Sequence, residues 1–179
     1  MDNDIYLTKQ YKTHQSGDQI DCPLALFTDN VREEWIDYNG HMSESFYLYA
    51  MGEASDALFR YVGINEAYRE SGFSFYTVET HINYYQEVAN SEPLRFTTQI
   101  LGLDNKRLHF FHHMYHGQTG DLLATTEQML LHVDMNASTA APIQPHVLAV
   151  LVQIWQAHQH MPAPKQKGRV MAVPPIKKT

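Results

Sequence analysis

Apolar residues along this chain change their spacing three times, and the changes divide it into elements. From Leu24 to Trp35 the pattern is Leu24, Leu26 and Thr28, then Val31 and Trp35 after an irregular step. That is the rhythm of a strand with a bulge-like interruption, and it runs into the polar turn Ile36 to Gly40. Phe46, Ala50, Ala54, Ala57, Leu58 and Tyr61 then fall at helical spacing. Ser43 stands at the N-cap position, Glu44 lies in the first turn, and Gly63 stops the helix. A short helical piece, Asn65 to Glu70, ends at Gly72. Beyond it the pattern is extended, and strands are expected at Phe75–Val88, Leu94–Leu103, Arg107–His116 and Leu122–Asp134. The segments between them are Asn90-Ser91-Glu92-Pro93, Asp104-Asn105-Lys106 and Gly117-Gln118-Thr119-Gly120, all rich in turn-forming residues. Pro145 to His158 returns to helical spacing, with Pro at the first helical position and a stripe of Val147, Leu148, Leu151, Ile154 and Trp155.

One strand, one long helix, four strands in antiparallel succession and a last helix make an α+β order, in which the sheet can wrap the long helix. The 179 residues fit one domain. Its expected extent is 23–160, flanked by a polar N-terminal arm over 1–22 and a basic tail over 161–179 that carries Pro162, Pro164, Pro174 and Pro175. No apolar run approaches the roughly 20 residues of a membrane span. The acidic start Met1-Asp2-Asn3-Asp4 has no apolar stretch behind it, so a signal-peptide layout is absent. Cys22 is the only cysteine, which excludes an internal disulfide and a cysteine-rich zinc site and agrees with a reducing compartment. A soluble, cytoplasmic protein with no membrane partner is expected. The net charge of -7 argues against nucleic acid as a partner.

The candidate chemistry lies in Asp37-Tyr38-Asn39-Gly40-His41-Met42, just before the long helix. Gly40 lets backbone N–H groups approach a ligand, and the helix N-terminus at Ser43 favours developing negative charge such as a thioester oxyanion. Asp37 has the chemistry of a general base or a nucleophile. Asn39 and His41 add an amide to orient water and an acid/base group. The same residue types are also ordinary turn and capping residues, so spacing alone leaves both readings open.

Asp37-x-Asn39-Gly40-His41-Met42, followed by Tyr47 and Glu53, resembles the signature of hotdog-fold acyl-CoA thioesterases related to 4-hydroxybenzoyl-CoA thioesterase. The resemblance implies an antiparallel sheet of about five strands around a central helix, plus the C-terminal helix, and a catalytic Asp37 at the start of the central helix. Similarity to plastid acyl-carrier-protein thioesterases adds Glu87, after Tyr84, as a further catalytic candidate beside Asn39 and His41. Two departures stand out: Ser43-Glu44 replaces an Asn-Asn pair, and Val88 replaces the cysteine of the plastid enzymes, which argues against a cysteine mechanism.

The nearest resemblance, over about 24–145, is to betainyl-CoA thioesterases of bacterial carnitine breakdown. It runs through Trp35 to Ser45, Tyr76-Thr77-Val78-Glu79-Thr80-His81 and Glu127 to Asp134. It implies an acyl-CoA substrate with a trimethylammonium group, for which Trp35, Tyr38, Phe75 and Tyr76 are candidate cation–π partners and Glu79 a candidate anionic one. Gly40, Met42 and Ser43 complete the expected substrate-binding set. Coenzyme A is implied as part of substrate and product, with no cofactor. A homodimer or dimer of dimers is expected, because one such sheet leaves an exposed edge and the family's pocket lies between protomers. Alternatives in the same fold are a non-catalytic acyl-thioester-binding module and an enoyl-thioester hydratase. His109, His112, His113 and His116 have helical spacing that would suggest a metal site, but their segment reads as a strand, which divides them between two faces, so no metal is expected.

Overall fold

The computed structural model describes residues 11–173. Six strands and three helices follow in the order β1 (Leu24–Asn30), α1 (Glu44–Tyr61), α2 (Glu66–Glu70), β2 (Phe73–Tyr84), β3 (Pro93–Leu103), β4 (Arg107–His116), β5 (Leu122–Asp134), β6 (Thr139–Ala140) and α3 (Pro145–His158). A 3-10 turn, Glu33–Trp35, separates β1 from the polar loop. The first expected strand is therefore shorter than its hydrophobic pattern, because Trp35 is buried from a turn and not from a strand. Its bulge is present, as a register shift between Leu24 and Phe27.

The strands form one antiparallel sheet in the order β1-β3-β4-β5-β2, with β6 on the end of β5. α1 crosses the inner face, and its alanines Ala50, Ala54 and Ala57 let the helix axis come close to the strands. The buried face of α1 also takes Tyr47 and Met51, while Phe46, expected in the stripe, is only half-buried. At the other end Gly63 adopts φ +95°, a backbone angle that glycine reaches without strain, and the helix stops there.

The core has two apolar halves. One joins Leu58 and Tyr61 of α1 to Ile100, Phe110 and Leu130 of the sheet and to Val147, Leu151 and Ile154 of α3. The other joins Tyr47, Met51 and Ala54 to Trp35, Met42, Val88, Phe96 and Met114. A polar seam lies between them. Thr98, His112 and Thr126 occupy one register row of the sheet. His112 contacts Thr98 Oγ1 through Nδ1 (2.8 Å) and Ser55 Oγ of α1 through Nε2 (3.0 Å). Gln128 Oε1 accepts from Ser55 Oγ at 3.3 Å.

The outer face of the sheet is crossed by the segment that follows α3. Gln99 on β3 donates to the Pro162 carbonyl (3.4 Å), Gly168 N–H donates to Glu127 on β5 (2.6 Å), and Arg169 donates to Asn83 on β2 (3.1 Å). The first part of the basic tail thus runs across the strands as a strap. Residues 14–21 of the arm are also placed: His14 N–H donates to the Tyr61 carbonyl, and the Asp21 carbonyl meets His158 Nε2 at 3.0 Å. The remainder of the arm (1–10) and of the tail (174–179) lies outside the described residues. Among the described residues no helix is long and apolar enough to cross a membrane.

Candidate active site

Between the 3-10 turn and α1 the chain forms a closed loop. Ile36 and Met42 pair across it, Asp37 N–H donates to the His41 carbonyl (2.9 Å), and Gly40 N–H donates to the Asp37 carbonyl (3.0 Å). Gly40 closes this turn at φ +82°, in the region where a side chain would be strained. Asp37 Oδ1 accepts the Asn39 N–H at 2.7 Å, and Asn39 Nδ2 lies 3.5 Å from Oδ2. The carboxylate is thereby oriented by its own loop.

Two backbone bonds fix this loop to the rest of the molecule: Ser43 N–H to the Trp35 carbonyl and Met42 N–H to the Val88 carbonyl, both 2.9 Å. The second brings Glu87 to the motif. β2 ends at Tyr84, earlier than the expected Val88, because Tyr85 and Gln86 both donate to the single Leu123 carbonyl and the chain turns away from the sheet toward the start of α1. Glu87 Oε2 comes to 3.4 Å from His41 Nδ1, near enough for an ion pair once the ring is protonated but not aligned as a hydrogen bond. That Nδ1 atom is buried with no hydrogen-bond partner. Ser43 sits at the N-cap of α1 without a side-chain capping bond, its Oγ instead lying 3.5 Å from Ser45 Oγ. The N-terminal N–H groups of α1 therefore have no side-chain acceptor at the cap, in the position where a helix favours an anion.

The residues named for substrate binding do not all gather here. Trp35 is 2% exposed, and one face of its ring is covered by the Arg32 guanidinium at 4.6 Å, with Phe46 stacked at 5.8 Å. Its cation–π capacity is used internally, so it is a core residue and not an open acyl contact. Phe75 belongs to the other core half and stacks on Phe59 at 6.1 Å, so burial against a ring, and not an internal cation, takes it out of its expected place in the pocket. Tyr38, 97% exposed, projects from the loop, and Tyr76, 53% exposed, lies on β2. Glu79 faces His81 at 3.8 Å and lines a separate cavity with His109 and Glu127 on the outer face.

A second cavity, of about 300 Å³, adjoins the loop and is lined by Met42, Glu44, Tyr47, Tyr84, Tyr85 and Glu87. Of these, Met42 and Glu87 were among the expected site residues. Of the others, Glu44, Tyr47 and Tyr84 stood in the sequence as a first-turn acid and as parts of the resemblance, without a place in the pocket, and Tyr85 was not singled out. Burial first, and the charge of Glu87 second, push the Tyr47 hydroxyl up to about 12. As for the four histidines, His109 pairs with Glu127 on the outer face at 2.8 Å, whereas His112 points inward into the seam. Among the described residues no group of His, Cys, Asp and Glu is arranged to hold a metal ion.

Comparison with known proteins gives the family and the fold. The chain is 40% identical over 155 residues to the betainyl-CoA thioesterase of Pseudomonas aeruginosa, covering 86% of this chain and 98% of that protein. It is 44% identical over 147 residues to the L-carnitine dehydrogenase/betainyl-CoA thioesterase of Rhizobium meliloti; the match takes in 82% of this chain but only 30% of that longer protein. A solved Pseudomonas putida structure assigned as a thioesterase superposes with a TM-score of 0.74 at 35% identity, covering 86% of this chain and 98% of the other. Residues 31–151, from the end of β1 into α3, match the family model for the thioesterase-like superfamily. The chain belongs to the thioesterase-like superfamily, with the hotdog fold.

Proposed function

We propose that this protein hydrolyses a small acyl-CoA thioester to the free acid and coenzyme A, with betainyl-CoA as its substrate and carnitine breakdown as its setting. The observation that carries the reading is the Asp37–His41 loop, held at a helix N-terminus whose cap side chain makes no capping bond, with Glu87 brought to His41 by the Met42–Val88 bond. Asp37 activates water or attacks the thioester carbonyl, and the first N–H groups of α1 hold the oxyanion. Asn39 keeps the Asp37 carboxylate in place, while His41 and Glu87 relay the proton to the departing thiolate. Coenzyme A leaves as product, and the chemistry calls for no further group.

The free edge of β2, with Val78 58% exposed beside Tyr76, supports a homodimer or a dimer of such dimers. A single exposed cysteine supports a cytoplasmic location. The deciding experiment is a panel of acyl-CoA substrates, betainyl-CoA among them, with thiol release followed by a chromogenic reagent. Rapid release from betainyl-CoA supports the reading. Tight acyl-CoA binding without release replaces it with a binding module, and loss of enoyl absorbance replaces it with a hydratase.

A further inference from the structure

The cavity beside the loop has an unusual lining for an acyl site. Two of its three tyrosine hydroxyls are already engaged: Tyr47 donates to the Gln86 carbonyl at 3.1 Å and Tyr84 to the Glu44 carbonyl at 3.2 Å. The two rings meet edge to face, 5.4 Å apart at 89°. Besides Met42 and Gln86, the wall offers a ligand aromatic surface from Tyr47, Tyr84 and Tyr85 and the carboxylates of Glu44 and Glu87, with no lysine or arginine among its described residues. Burial and the neighbouring Glu87 keep the Tyr47 phenol neutral, so the carboxylates supply the charge. A quaternary ammonium has no N–H to donate and is bound by ring faces and nearby negative charge, which is what this wall offers.

We infer that this cavity is the acyl pocket and that Tyr84, Tyr85 and Glu44 make it selective for a quaternary ammonium head over a neutral group of the same shape. The inference rests on the thioester-hydrolase reading and moves the cation site away from Trp35 and Phe75, whose faces are occupied. Tyr84 is the central residue: its ring packs on Tyr47, and its hydroxyl ties the wall to the first turn of α1.

The test compares kcat/KM for betainyl-CoA with that for 3,3-dimethylbutanoyl-CoA, in which carbon replaces the charged nitrogen. The wild-type protein should favour betainyl-CoA by about tenfold or more, and Tyr84→Leu and Glu44→Gln should each lower that ratio by roughly threefold to tenfold. Tyr84→Phe keeps the ring and should restore most of the ratio. Thermal unfolding of each variant establishes that it is folded. Should Tyr84→Leu not fold, product inhibition of the wild type decides, with betaine expected to inhibit more strongly than 3,3-dimethylbutanoate. Equal turnover of both thioesters, or equal inhibition by both acids, overturns the inference and leaves the hydrolase reading standing. No thiol release from any acyl-CoA overturns both.

Discussion

Two constellations in this molecule have the residue types of hydrolytic chemistry, and they differ in almost every other respect. In the core seam Ser55 Oγ lies 3.0 Å from His112 Nε2, and Thr98 engages the other ring nitrogen, an arrangement that on geometry alone resembles a nucleophile with its base. At the surface Asp37, His41 and Glu87 are looser: Glu87 is 3.4 Å from a His41 nitrogen that has no hydrogen-bond partner. The seam is the better hydrogen-bonded of the two and the worse candidate. His112 is fully buried, burial pushes its pKa down to about 3, and no substrate reaches Ser55. The Ser55–His112–Thr98 bonds, made wholly in the interior, specify packing, whereas an incomplete set at a cavity mouth has capacity left for a ligand.

The sharpest way to break this comparison is to remove one member from each side. Asp37→Asn preserves shape and the loop's turn, so turnover of the preferred thioester should fall by about 10²–10⁴-fold while the unfolding midpoint moves little. Ser55→Ala should leave kcat/KM within about threefold and cost roughly 1 kcal/mol of stability. Steady-state kinetics and thermal melts of the two variants read both. The opposite result, an inactive Ser55→Ala beside a competent Asp37→Asn, would transfer the chemistry to the seam.

The next largest effect belongs to the seam. His112→Ala empties a fully buried site between the two apolar halves and takes the partner from Thr98, so denaturant unfolding should show a loss of about 2–4 kcal/mol. The pH dependence follows from the same burial. The unfolded chain protonates this ring near its ordinary value of about 6.5, but the folded chain only near 3. Stability from the neutral buried ring is therefore complete above about 6.5 and is lost as pH falls through that window, at no more than about 1.4 kcal/mol per unit. His112→Leu should flatten that part of the stability profile relative to the wild type.

How much of this was legible in the sequence depends on whether a residue's role is local. The bounds of β4, β5 and α3 follow from period and turn residues, and so do the start of α1 at Ser43 and its stop at Gly63. The end of β2 was not legible, because it is set by two donors, Tyr85 and Gln86, competing for one Leu123 carbonyl on another strand. β6 is only two residues long and carries no pattern of its own. At the site, the residues of the loop containing Asp37 and Gly40 allowed a capping and a catalytic reading alike, and resemblance favoured the second and pointed to Glu87. The occupation of Trp35 by Arg32 did not, since nothing in the spacing tells whether an aromatic face is already covered by an internal cation. Tyr47 and Tyr84 were marked by the resemblance but not as a pocket wall, until the turn after Tyr84 brought its hydroxyl to the Glu44 carbonyl.

A smaller effect separates the two faces of β4. His109, on the outer face of the strand whose inner face bears His112, meets Glu127 at 2.8 Å, and the same carboxylate accepts the strap's Gly168 N–H at 2.6 Å. Both side chains retain some exposure, so solvent screens the pair, and Glu127→Gln should cost only about 0.5–1 kcal/mol. Its amide oxygen can still accept from Gly168, but the charge assistance is gone. Amide exchange over 161–169 should therefore quicken severalfold while exchange in the seam stays slow, because the outer contact holds a strap and the inner one holds the core. Unchanged exchange in the strap would assign its attachment to the bonds of Pro162 with Gln99 on β3 and of Arg169 with Asn83 on β2, leaving Glu127 only to orient His109.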